Sequence, residues 1–468
     1  VERDGDTLII DGGDSLQGTP IVQYYLAHRE EGYKHPVAAA FNALKLDYFT
    51  LGNHDFNFGY EILSEFLNEM DGVCLCANVT DIDGKLPICP WKIHTLANGL
   101  RIGITGVVTD YVNVWEDPQN LDRLCITDAF SAAQKAISDF APFCDVSICI
   151  CHSGFEEDIE TGRLLSDSGE NIASRIAREL DFDVRLTGHQ HMVVEGVELH
   201  GTYAAQPPAN AGHFLSIRGI WENGRCRFRS DLIPVGEKHR EEPYCSLLPL
   251  ETAVQEWLDQ PIGILTQSIP PEDKLEAALK GSQLAELFNQ VQLIESGAEF
   301  SCTSLGNNPT GLSSPVTMRG VTAAYLFANT LVVLEVTEEI LRQALERCAS
   351  YFLLVDGVPQ ISETFLFPKV EHYNYDFYAG LSYTFDLRRP VGSRVIHLSR
   401  LDGSPLGKGP FRLCTSNYRA TGTGGYEFFR KCPVLWRGNV EMPDLTARYI
   451  KANSPIRFPH NVNMDIIW

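Results

Sequence analysis

At 468 residues the chain is too long for one compact core, so two domains are expected. With 61 acidic against 38 basic residues its surface repels a polyanion, which argues against general binding to DNA or RNA. It has no apolar run of the roughly 18 residues needed to cross a bilayer, and residues 1–10 hold no signal-peptide core. As written the sequence therefore reads as soluble and cytoplasmic, or as exported if an upstream signal belongs to it.

Up to about residue 235, short apolar β-branched runs alternate with amphipathic stretches, the pattern of an α/β layered fold. In chain order the strand candidates are 7–11, 48–51, 73–77, 101–107, 145–151 and 183–187, with helix candidates at 21–31, 37–44, 60–70 and 171–179. Residues 192–235 read as shorter strands. A polar stretch at 235–243 then breaks the pattern, and a helical segment near 250–258 follows, so 236–260 reads as a linker with a helix. From 261 to 468 helical periodicity (337–348) mixes with strand alternation (381–387, 394–398), which is α+β. The 13 cysteines are odd in number, spread along the chain, and lack any C-x-x-C; pairs such as Cys74/Cys76 and Cys149/Cys151 read as buried thiols rather than disulfides or zinc ligands.

Four polar motifs stand directly after four of the strands: Gly13-Asp14, Gly52-Asn53-His54-Asp55, Cys151-His152-Ser153-Gly154 and Gly188-His189-Gln190-His191. In open α/β sheets the carboxyl ends of the strands share one rim where ligands bind, so residues distant in sequence converge there. Asp, Asn and His form an oxygen/nitrogen ligand set suited to manganese, zinc, iron or magnesium. A lone histidine or a lone Gly-Asp turn signals little; four such motifs in this placement signal a metal centre.

Together these motifs resemble the calcineurin-like metallophosphoesterases, over residues 1–235. Tyr325-Leu-Phe-Ala-Asn-Thr-Leu331 and Asn417-Tyr-Arg-Ala-Thr-Gly-Thr-Gly-Gly425 resemble the nucleotide-binding C-terminal domain of the 5′-nucleotidase family. Gly13–Pro20, Gly52–Gly59, Tyr373-Asn-Tyr-Asp376 and Gly380-Leu-Ser-Tyr383 are most similar to its 2′,3′-cyclic-nucleotide 2′-phosphodiesterase/3′-nucleotidase branch, the plain 5′-nucleotidases more often carrying Asp where Asn57 stands. The resemblance implies two divalent metal ions, with Asp14 bridging them, Asn53, His152 and His189 completing one shell, and His191 in the other. It places His54 beside the substrate phosphate as proton donor, oriented by Asp55 or Asn57, and it places the base between Phe327 and Tyr418.

The same resemblance calls for an Asp-x-His motif some tens of residues before Gly13-Asp14, and only thirteen residues precede Asp14. The first strand and part of the second metal's ligand set are thus expected to be missing, which favours a fragment. One ion would be held firmly and the other weakly, through Asp14 and His191. The readings that follow are a phosphohydrolase of 2′,3′-cyclic and 3′-nucleotides, a 5′-nucleotidase, or a catalytically impaired nucleotide-binding relative. The presence of His54 favours chemistry, and a nucleotide is the expected small-molecule partner. Residues 301–311, where the family carries an arginine-rich loop, hold no arginine.

Overall fold

A computed structural model describes residues 3–165, 169–222, 224–236, 245–327, 329–367, 369–438, 440–457 and 463–468. The chain divides into two compact units, Val1–Ala253 and Val254–Trp468. The division falls inside the helix Leu248–Asp259, and most of the polar stretch read as a linker (237–244) lies outside the described residues.

The first unit is built on two sheets. One is wholly parallel, in the order Ile10–Asp11, Tyr48–Phe49, Val73–Leu75, Ile88–Cys89. The other runs Val194–Leu199, Thr202–Gln206, Val184–Thr187, Val146–His152, Arg101–Val108, Trp91–Thr95, parallel in its middle and antiparallel at both edges. All six predicted strands are present. They are mostly shorter than their apolar runs because the residues flanking each pairing turn into loops. Residues 192–235 differ more: they include a hairpin of two ten-residue strands, His213–Glu222 and Arg225–Pro234, rather than short strands only. Strict alternation at Arg225, Arg227 and Arg229 against Cys226 and Phe228 supports that length.

Alternation also sets the layers. Tyr48 and Leu75 meet Ile102, Ile104, Val146 and Ile150 in a core between the sheets. Phe49, Cys74 and Cys76 face the other way, onto Leu63, Phe66 and Leu67 of the helix Gly59–Glu69. Cys149 and Cys151 likewise face the helices Ala129–Phe140 and Ala173–Glu179. The close cysteine pairs are therefore period-two neighbours on buried strand faces. Burial pushes the Cys76 and Cys149 thiols up to about 11 and about 12, so they stay protonated, and none of the 13 cysteines forms a disulfide. The sheets come close together at Gly106, where a side-chain carbon would stand 1.9 Å from the Leu75 carbonyl oxygen. The unit is thus a helix–sheet–sheet–helix sandwich.

The second unit is α+β. A five-stranded sheet runs Asp376–Ala379, Phe300–Ser304, Phe411–Ser416, Leu331–Val336, Val434–Arg437, with the helix Gln283–Ser296 burying Leu284, Leu287, Phe288 and Val291. A three-stranded sheet joins Val395–Arg400, Leu381–Asp386 and Met464–Ile467. In its interior the Arg419 guanidinium lies 2.9 Å from Asp376 Oδ2, each side chain only 2% exposed, and stacks over the Tyr426 ring at 4.1 Å. Burial works against the Asp376 charge and Arg419 works for it. Removing one partner leaves the other charge buried alone. Asp376→Ala is therefore expected to cost about 3–5 kcal/mol, read as a lowered denaturant midpoint for this unit. A change under about 1 kcal/mol would mean the pair is dispensable.

Candidate metal centre and aromatic cluster

Each predicted metal motif follows the carboxyl end of a parallel strand. Gly13-Asp14 comes after Ile10–Asp11, Asn53 after Tyr48–Phe49, His152 closes Val146–His152, and His189 comes after Val184–Thr187. The turns are sharp: Asp14, His189 and His191 all have positive φ (63°, 70° and 57°), a left-handed conformation uncommon for residues with side chains. Room for them comes from glycine. A side chain on Gly52 would stand 2.2 Å from Asp14 Oδ1, and one on Gly13 would stand 2.4 Å from the Gly52 nitrogen.

Ligand atoms of Asp14, His152 and His189 lie within 4.8 Å of one another, the one such grouping of His, Cys, Asp or Glu side chains among the described residues. The hydrogen bonds around it fix which atoms face inward. His152 Nδ1 donates to the Gly12 carbonyl oxygen at 2.6 Å, because that oxygen only accepts. His152 Nε2 is buried without a hydrogen-bond partner and stands 3.0 Å from Asp14 Oδ2. His189 Nε2 faces the Glu170 carboxylate at 2.8 Å, which leaves its Nδ1 facing Asn53 Oδ1 at 2.9 Å. Four acceptor atoms thus converge, and only a positive charge between them makes the arrangement favourable. This is how metal-binding imidazoles are held, one nitrogen tied to an outer acceptor and the other aimed at the ion, so these residues fit a divalent cation. In the absence of an ion a proton takes that role. Burial opposes the His152 imidazolium, but Asp14 outweighs it and raises the pKa to about 9. Burial likewise opposes charge on Asp14, yet His152 and His54 hold its carboxyl well below the usual range.

The remaining predicted residues divide. Asn57 Oδ1 lies 2.8 Å from His54 Nδ1, and the His54 backbone donates to Asp14 Oδ1. Asp55 is not at His54. Its carboxylate is buried and accepts the backbone N–H groups of Gly52, Asp14, Ser15 and Leu16, so it ties the two metal-bearing loops together instead of orienting the imidazole. Burial first, and then Asp14, raises its pKa to about 6. His191 is exposed and stands outside the three-residue grouping. Gln190 uses both amide atoms on the Phe155 backbone.

In the second unit the Phe327 ring is 43% exposed. It meets Tyr373 edge-on at 6.2 Å, and Tyr373 meets Tyr418 at 6.5 Å. Arg419 donates to the Tyr373 carbonyl oxygen at 2.7 Å, linking the two motifs that carry these rings. Residues 301–311 lack arginine, but the Lys274 ammonium bonds the Gly306 carbonyl oxygen, and burial brings its pKa down to about 8. Sequence reasoning missed Glu170 and Trp115, whose ring stacks 5.5 Å from His189, as well as Tyr373 as a third ring. Tyr373 stood in a motif already recognised. Glu170 lies in a bend and Trp115 ends the one-turn helix Val112–Trp115, and neither carries a local signal. Among the other histidines, His35 is buried near its helix N-terminus, where burial lowers its pKa to about 4, and His94 bonds the Tyr48 hydroxyl.

Residues 1–193 match the calcineurin-like phosphoesterase family and residues 262–431 match the 5′-nucleotidase C-terminal domain. A crystal structure from Staphylococcus aureus, described as a candidate 5′-nucleotidase, is 30% identical, with a TM-score of 0.89 covering 98% of this chain and 91% of that one. The chain belongs to the 5′-nucleotidase family. Among curated relatives, the 2′,3′-cyclic-nucleotide 2′-phosphodiesterase/3′-nucleotidase of Haemophilus influenzae is 24% identical over 99% of this chain and 80% of its own length. Its namesake in Salmonella typhimurium is 22% identical over 89% of this chain and 74% of its own. Family members are phosphoric ester hydrolases that work with divalent metal, in keeping with the acceptor cluster found here. Among the described residues no helix is long and apolar enough to cross a membrane.

The geometry predicts a separation of variants by metal content. Gly52→Ala removes no ligand but pushes on Asp14, so it should lose metal as His189→Ala does, whereas His54→Ala should keep it. Elemental analysis of the folded, purified variants checks this. Full metal in Gly52→Ala would mean that the loop yields without moving Asp14.

Proposed function

We propose that this chain hydrolyses 2′,3′-cyclic nucleotides at the 2′ position and then removes the 3′-phosphate. The observation that carries the reading is the convergence of Asp14, Asn53, His152 and His189 on one acceptor-lined point with His54 beside it. Support for the substrate class comes from the cyclic-nucleotide relatives and from Asn57 at His54. A divalent ion at that point would neutralise phosphoryl charge and lower the pKa of water. Asp14, Asn53, His152 and His189 would hold it, and His191 would belong to a second ion's shell. Water adds to phosphorus, the bond to the 2′-oxygen breaks, and His54 supplies the proton that this oxygen takes. The 3′-nucleotide so formed is cleaved in the same way to nucleoside and phosphate. Phe327 and Tyr418 would hold the base, with Tyr373 as a neighbouring wall, and Asp55 would position the loops.

The 30% identity to the Staphylococcus aureus protein favours a second reading, a 5′-nucleotidase. Turnover of 2′,3′-cyclic AMP, 3′-AMP and 5′-AMP by the manganese-loaded chain separates the two: the proposal expects the first two to be cleaved well above the third, and the reverse order would replace it. Tyr418→Ala should weaken kcat/KM for the preferred nucleotide by about 1–3 kcal/mol, the worth of one stacked base, while sparing bis(p-nitrophenyl) phosphate, which has no base to stack. Equal losses on both would place Tyr418 in the fold alone.

A further inference from the structure

The pairing of His54 with Asn57 leaves open which amide atom faces the imidazole, since oxygen and nitrogen are alike in shape. The next contact decides it. Asn57 Nδ2 stands 2.5 Å from Glu116 Oε2, and a carboxylate oxygen accepts, so the amide nitrogen must point there and the amide oxygen must point to His54 Nδ1. His54 Nδ1 then carries the hydrogen, which turns Nε2 outward. Glu116 is itself fixed. Its Oε1 accepts from Asn120 Nδ2 at 2.7 Å and from the Asp117 backbone at 2.8 Å, and Asn120 Nδ2 also reaches the Asn57 carbonyl oxygen at 3.1 Å. A carboxylate 59 positions from Asn57 thus sets the orientation of a side chain that would otherwise rotate between two states. Glu116 also directly follows Trp115, the ring stacked on His189, so one short segment touches both the partner of His54 and a predicted metal ligand.

We propose that Glu116 is a positioning residue for proton transfer to the leaving oxygen, acting through Asn57 on His54. This rests on the function proposed above, in which His54 is the proton donor. His54 is thus held by a neutral amide, with the carboxylate one residue further out. An amide is a weaker acceptor than a carboxylate and has a wrong orientation available to it; the Glu116 contact removes that wrong orientation. The effect on rate is confined to steps that need a proton delivered, because Glu116 has no contact with the atoms that would bind the ion.

The test compares two phosphodiesters that differ in leaving group. The 2′-oxygen of 2′,3′-cyclic AMP leaves poorly without a proton, whereas p-nitrophenolate from bis(p-nitrophenyl) phosphate leaves without one. General acid catalysis contributes about a hundredfold or more, so Glu116→Ala should lower kcat on the cyclic nucleotide by about tenfold or more, with KM little changed, and lower kcat on the nitrophenyl ester by no more than about threefold. Glu116→Gln, which keeps an acceptor for Asn57, should recover most of the loss. Asn57→Ala combined with Glu116→Ala should be no slower than Asn57→Ala alone, since both act through one contact. Metal content and unfolding midpoint, measured on the same samples, should match wild type. Equal losses on both esters, multiplying losses in the double variant, or loss of metal would overturn the relay and leave the proposed function standing. A wild-type chain that cleaves neither ester would overturn both.

Discussion

Two acceptors, Asp14 Oδ2 and His152 Nε2, stand 3.0 Å apart in a buried rim, and they cannot face each other unless a positive charge lies between them. The rest of the site follows from that constraint. The Gly12 carbonyl oxygen holds the far nitrogen of His152, Glu170 holds the far nitrogen of His189, and both imidazoles are thereby left aimed inward. A phosphate ester approaching this point would be drawn by the ion, since the protein's own net charge of −23 repels it. The cation is what makes an acidic protein suited to an anionic substrate.

The fold bears the cost of the convergence. Three predicted ligands sit at positive φ, each such residue storing on the order of 1–3 kcal/mol, and the loops are held by contacts that leave them little freedom. Asp55 gathers four backbone N–H groups from the two loops, and Gly13 packs against Gly52 with no room for a side chain. The sheets beneath are pinned at Gly106. In the second unit the buried Arg419–Asp376 pair plays the corresponding part, fixing the backbone of the motifs that carry Tyr373 and Tyr418.

Much of this was legible in the sequence because it is written in local periodicity. Strand alternation places six strands and explains the Cys74/Cys76 and Cys149/Cys151 pairs, and polar residues directly after parallel strands must share a rim, which is why Asp14, Asn53, His152 and His189 could be grouped from residues up to 175 positions apart. What could not be read depends on how loops pack. Asp55 sits in the same motif as His54, but which way it turns is set by the Gly13–Leu16 loop across the site. Glu170 meets His189, and Glu116 meets Asn57, through segments without a periodic pattern. The long hairpin was underestimated because its first strand does not alternate strictly, Phe214 and Leu215 and then Ile220 and Trp221 standing side by side.

Calorimetric titration of the metal-stripped chain with manganese tests the central claim most directly, run beside His152→Ala. Tight binding, abolished in the variant and accompanied by a rise in the unfolding midpoint of the wild type, is the result expected of four acceptors converging on a cation. No binding by the wild type, or equally tight binding by His152→Ala, would contradict it.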